Sequence, residues 1–197
     1  GSVSDSLKSE EFNNLSSYLN RGGSLFLSQS RIKTNLQVQQ ALPIQSNIFS
    51  LLNSYGLDLQ SNLVTDQICG RVNVQQQMGP IRMNVPIEYP LLPVIRNFNA
   101  DESIVAGLEQ MQLIFASEIK QDSASMGSVN FQPLFYTSDN SGELRGNFNL
   151  NPDPQQNPFM RIFNKSKLIL GARSEKKNSN GSTSQVILVG DSEFISD

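Results

Sequence analysis

The sequence contains no histidine and no tryptophan, and its only cysteine is Cys69. Histidine is the side chain that ordinarily moves protons near neutral pH, so its absence excludes Ser-His and Cys-His nucleophile pairs and imidazole metal sites. One cysteine cannot close an internal disulfide, and cysteine usage leaves the redox compartment open. Charge is scarce as well: Asp, Glu, Lys and Arg make up 17% of the chain and the net charge is -3. The basic residues are scattered, apart from a small group at Arg173, Lys176 and Lys177. Nucleic acid and anionic lipid need a concentrated basic face, so neither is an expected partner. No apolar run approaches the roughly 20 residues that span a bilayer.

What the chain has instead is Asn, Gln and Ser, as in Gln37-Val38-Gln39-Gln40 and Gln75-Gln76-Gln77. A neutral polar surface of this kind suits an extracytoplasmic module. The length of 197 residues suits one domain, placed at 7–197. Residues 1–6 read as a tag remnant or linker, because Gly1-Ser2 has the form of a cloning scar. The expectation is an excised part of a longer, membrane-anchored protein.

Periodicity predicts a helix over 10–20, with Phe12, Leu15, Tyr18 and Leu19 on one face and Ser9 as N-cap. Arg21-Gly22-Gly23 stops it, and residues 24–28 read as a short buried strand. Residues 31–42 read as a polar loop over the sheet, and 46–55 as a second helix ended by Gly56. Strands are expected at 57–59, 63–65, 71–75, 81–85, 111–116 and 131–137, with a turn at Met78-Gly79-Pro80. Pro86, Pro90 and Pro93 exclude a helix there. Residues 147–158 read as a solvated loop, and 167–172 and 185–189 as closing antiparallel strands joined by a mobile insert over 173–184.

The apolar run 185–189 delivers Gly190-Asp191-Ser192 to the end of a strand, the usual address of a binding site in an open sheet. A serine-hydrolase reading fails because the motif has no base, and the bland reading is that Gly190 permits a turn while Asp191 or Ser192 caps a helix beginning near Glu193. Cys69 lacks a glycine-flanked elbow and reads as a small buried hydrophobe. Asp191, Glu193 and Asp197 lack the spacing of a calcium loop, and the phosphate-cradling glycine patterns do not occur, so no metal and no cofactor is expected. The surface to test is the rim formed by Ser28, Gln29, Ser30 and Arg31 after one strand and Asp191, Ser192 and Glu193 after another. Arg31 is placed to pair with Asp191 or with an anionic ligand.

Several segments taken in order carry a family resemblance: residues 12–27, 51–66, Tyr89-Pro90-Leu91-Leu92-Pro93, 103–108, 113–117 and 186–194. Together they resemble the auxiliary domain of ABC-type transport systems found in gliding-motility-associated proteins of Bacteroidetes. The resemblance implies an α/β fold of glutamine-amidotransferase-like or flavodoxin-like type, with a mixed, mostly parallel sheet, helices on its faces and an antiparallel edge. It implies an extracytoplasmic, periplasmic-side position tethered to the inner membrane, and partners among the subunits of a membrane transport or motility complex. It also implies carbohydrate or protein as the thing bound. The family carries a strand before the first helix that is missing here, which leaves one sheet edge open to question. The leading expectation is thus a non-enzymatic extracytoplasmic interaction or ligand-binding module, with a carbohydrate-binding module as the alternative. A cryptic hydrolase at Ser192 or Cys69 is the remaining reading.

Overall fold

The computed structural model describes residues 5–78 and 81–195. Gly1 and Ser2, Gly79 and Pro80 of the expected turn, and Ser196 and Asp197 lie outside the described residues.

Helix α1 (Ser9–Asn20) starts one residue early, so Lys8 and not Ser9 holds the N-cap position. The Glu11 carboxylate satisfies one orphan donor by accepting from the Lys8 N–H at 2.9 Å. Gly22, at a φ of 92°, turns the chain into β1 (Ser24–Ser28), the strand the sequence predicts. The expected loop over 31–42 is instead a hairpin of β2 (Ile32–Asn35) and β3 (Gln40–Pro43), paired antiparallel. Each of its strands buries one apolar residue, Ile32 and Ala41, too few for alternation to show in the sequence. Helix α2 (Ile48–Ser54) is shorter than predicted. Then come β4 (Leu57–Leu59), β5 (Leu63–Asp66), the long ribbon of β6 (Cys69–Met78) and β7 (Ile81–Ile95), β8 (Asn97–Phe98) and β9 (Met111–Gln112). The remaining strands are β10 (Ile119–Gln121), β11 (Val129–Tyr136), β12 (Ser141–Leu144), β13 (Ile169–Lys177) and β14 (Thr183–Val189).

The central sheet has the order β1-β14-β13-β11-β8. Only β1 and β14 run parallel in it; the other pairs are antiparallel. The expected α/β fold with a mostly parallel sheet and helices on its faces is therefore corrected to a predominantly β fold with a mixed sheet. Several small antiparallel sheets surround that sheet, and the described residues contain two α-helices. Both helices pack on one face, where Leu19, Ile48, Leu52 and Tyr55 meet Leu25, Leu27, Ala172, Val186 and Leu188. The other face is covered without an α-helix, by Ile95, Val105 and Leu113 against Leu134, Leu170 and Val189. Val186 and Leu188 facing one way and Val189 the other is the period of two that a strand imposes. A further core forms around Leu63, Tyr89, Leu91, Phe148, Leu150 and Met160.

The segment read as a solvated loop and the insert read as mobile are both anchored. Phe148, Leu150 and Asn157 are buried, so 147–158 is tied down despite its solvated composition. The insert over 173–184 is mostly strand, and at its tip Asn178 and Asn180 donate to the carbonyls of Leu19 and Asn20 at 3.3 and 3.1 Å. At the outer edge of β1, the Tyr18 hydroxyl donates to the Ser24 carbonyl at 3.1 Å and accepts from the Ser24 N–H at 3.2 Å. An edge strand's polar groups are thereby partly covered.

Candidate functional site

Because β1 and β14 are parallel neighbours, their carboxyl ends open at the same rim and residues 28–31 meet residues 190–193. The Ser28 hydroxyl donates to the Asp191 carbonyl, and the Ser192 N–H donates to Ser30 Oγ at 3.0 Å. Ser30 Oγ in turn lies 3.4 Å from the carbonyls of both Phe115 and Gly190. Gly190 sits where two backbones touch: Ser117 N–H donates to its carbonyl at 2.7 Å, and its own N–H donates to Leu170 at 2.9 Å. A Cβ at this position would overlap the Ser117 carbonyl, so only glycine fits.

Asp191 is 1% exposed and faces inward. One carboxylate oxygen accepts from Ile114 N–H at 2.7 Å and the other from Glu193 N–H at 2.8 Å. Burial pushes the carboxyl up to about 6 in spite of these two bonds, which favour the ionised form. The capping role foreseen for Asp191 is real, but it caps a turn over 192–195 and no helix begins there among the described residues.

Arg31 does not pair with Asp191. Its guanidinium donates to the Leu59 carbonyl at 2.7 Å, approaches Asp58 at 3.9 Å and lies 4.7 Å from the centre of the Phe49 ring. The reason is that the Asp191 oxygens are already turned to backbone donors, while a carbonyl and an aromatic face await a cation below the rim. Gln29 is buried as well and donates to the Ser30 carbonyl at 2.7 Å. Ser28, Gln29 and Asp191 thus build the rim from beneath, and Arg31 lies apart from it.

Ser192 and Glu193 reach open space, lining a cleft of about 190 Å³ with Ser30, Lys33 and Thr34. Its apolar walls are Ile32, Ile44, Ile114 and Phe115. Lys33 and Thr34 belong to the hairpin that the sequence presented as a loop, and nothing in their spacing marked them. Phe115 is held at a φ of 53°, unusual for a bulky residue, and its ring meets Tyr89 edge-on at 6.1 Å. The cleft offers hydroxyls, an ammonium and a carboxylate over an apolar floor, which fits a small polar ligand.

A larger groove lies elsewhere. Spaces of about 420 and 320 Å³ flank Phe159, and both are bordered by Glu143 and Arg145. Phe159 is 64% exposed. Beneath it, the Asn62 amide donates to Glu143 at 2.6 Å and to Glu118 at 3.3 Å, and Arg145 Nε donates to Glu143 at 2.8 Å. Burial raises Glu118 above the usual carboxylate range, with Lys120 pulling the other way. Burial acts in the same sense on Glu143, yet the Asn62 amide, Arg145 and Lys165 together hold it below its ordinary value. Asn147, Asn149 and Gln156 complete the larger space.

Cys69 is half-buried, not enclosed as expected for a core hydrophobe. Burial first and Glu88 second push its thiol up, which disfavours the nucleophilic thiolate.

An uncharacterized protein of Borreliella burgdorferi is 27% identical over 190 residues, an alignment that covers 89% of this chain and 36% of that protein. The chain thus spans about a third of the length of that relative. No solved structure matches it. The sequence profile of the family described as ABC-type uncharacterized transport system matches residues 2–197. With nearly every residue inside that match, the chain belongs to the ABC-type uncharacterized transport system family.

Proposed function

We propose that this chain is a non-enzymatic, extracytoplasmic auxiliary module of an ABC transport or motility system, binding a small polar ligand or a partner subunit at the rim where β1 and β14 end. The match to the transport family across almost the whole chain carries the reading. The cleft of Ser30, Lys33, Thr34, Ser192 and Glu193 supports it, because it gathers donors, acceptors and both signs of charge at one concave place. Protease treatment of spheroplasts, with the parent protein tagged in this module, tests the location. Digestion from outside is the expected result, and protection until the membrane is lysed would overturn it. Thermal-shift screening with small polar solutes tests the cleft, with Lys33→Ala and Glu193→Ala expected to abolish any stabilisation.

The groove at Phe159 favours a second reading, in which an oligosaccharide is bound there. Sugar rings stack on an exposed aromatic face, and Asn147, Asn149, Gln156, Glu143 and Arg145 provide the hydrogen-bonding rim such a ligand needs. Calorimetric titration with a panel of neutral oligosaccharides is the check. Binding that Phe159→Ala removes would support it, and no heat with any member of the panel would dispose of it.

A further inference from the structure

The β6–β7 ribbon is asymmetric at its two edges in a way that neither reading of function uses. Over its outer part, Arg71 faces Glu88, Val72 faces Ile87, Asn73 faces Pro86, Val74 faces Val85 and Gln75 faces Asn84. Pro86 has no N–H to donate, so a proline within a strand belongs where the missing donor faces away from the partner. The carbonyl of Glu88, two residues along and so on the same side, points outward and accepts from Arg161 at 3.3 Å. The Asn73–Pro86 and Arg71–Glu88 pairs are therefore the non-hydrogen-bonded pairs of the ladder. Arg71, Asn73 and Gln75 accordingly turn their own N–H and C=O groups toward the free edge of β6. No other strand pairs with β6 among the described residues.

The two edges differ in how they are protected. On β7 the edge is blunted by Pro86 and by the Arg161 contact. On β6 the stretch 72–78 contains neither proline nor a charged residue. Such an edge accepts a strand, and its chemistry selects which one. Antiparallel pairing of β6 with its own copy about a two-fold axis at Asn73 sets Asn73 against Asn73, Arg71 against Gln75 and Val72 against Val74. Each of the pairs made by Arg71, Asn73 and Gln75 then exchanges two backbone bonds. Amide faces amide, guanidinium faces carboxamide oxygen, valine faces valine, and no like charges meet.

We propose that β6 is a self-pairing edge through which two copies of this chain join their ribbons into one four-stranded sheet. Sedimentation velocity over a range of concentrations reads the dimer. Asn73→Pro removes an outward donor without touching the β6–β7 ladder and weakens the dimer by about tenfold or more, for the loss of one bond from each copy. Asn84→Pro makes the same change on the β7 edge and leaves the dimer as it is. Asn73→Cys in a Cys69→Ser background forms a disulfide between copies on mild oxidation, which keeps the test open should the proline variant unfold. A wild-type chain that stays monomeric at every concentration would overturn the proposal, including in favour of a different protein's strand at this edge. So would equal weakening by the two proline variants, or no crosslink at position 73.

Discussion

At the scale of single residues the rim rests on Gly190 and Asp191. Replacing Gly190 with alanine forces a Cβ into the Ser117 carbonyl, a backbone atom that cannot swing aside. Gly190→Ala is expected to cost about 3 kcal/mol or more, read from denaturant midpoints. Asp191 has a signature in pH. Its folded carboxyl titrates at about 6 against a reference of 3.8. Between those values the folded state holds a proton that the unfolded state has released, so this group's contribution to stability rises as pH falls from about 6 towards 4. Asp191→Asn should flatten that part of the stability profile. It should also weaken one backbone bond, to Ile114 or Glu193, at a cost of about 1 to 2 kcal/mol. The sequence located the rim because strand ends in an open sheet are where polar groups emerge. It did not show which side chains face the opening, since Asp191 and Gln29 turn inward for backbone partners, and that of Asp191 at Ile114 is remote in sequence.

Among the elements, those bounded by strong local signals were legible. The Gly-Gly stop after α1 and the apolar run behind it mark β1, and Leu57-Asp58-Leu59 is β4 as read. The hairpin β2–β3 was not legible, because its strands are held by pairing with each other and each buries one apolar residue. The span of β13 was underestimated for a related reason: its outer half is charged. Arg173 there donates to both carboxylate oxygens of Glu102, at 3.0 and 2.8 Å, and meets Glu175 at 2.5 Å. The hydrogen bonds from Arg173 to Glu102, ahead of the Glu102 charge, raise the Arg173 pKa further. Glu102→Ala leaves a mostly enclosed guanidinium with one partner fewer. The expected loss is about 2 kcal/mol, below that of a fully buried pair because some water still reaches both groups. Limited proteolysis checks the other anchored segment: residues 147–158 should resist cleavage as long as Phe148, Leu150 and Asn157 stay seated.

For the molecule as a whole, the fold class escaped the sequence because one helix before one strand resembles the start of an α/β unit, whereas the chain beyond α2 covers the second sheet face with short strands, the end of β7 and irregular segments. Whether a given apolar residue belongs to a helix or an extended segment over the same sheet face is set by tertiary contact. The absence of a concentrated basic face has a direct test. With a net charge of -3, the chain should pass a heparin column unretained at physiological salt and leave DNA unshifted.

The pairing of β1 with β14 also governs when the molecule can form. Ser24 lies beside Gln185 and Ser28 beside Val189, so β1 waits for about 160 further residues before its partner exists. Contacts so distant along the chain slow folding, and during synthesis they leave β1 without its strand partner until β14 leaves the ribosome. A chain cut after Lys177 should remain unfolded by circular dichroism and be held by chaperones, however complete its other cores. The ends of β1 and β14 that shape the rim are thus also the step that completes folding, so any ligand that bridges them would act as a clamp on the native state.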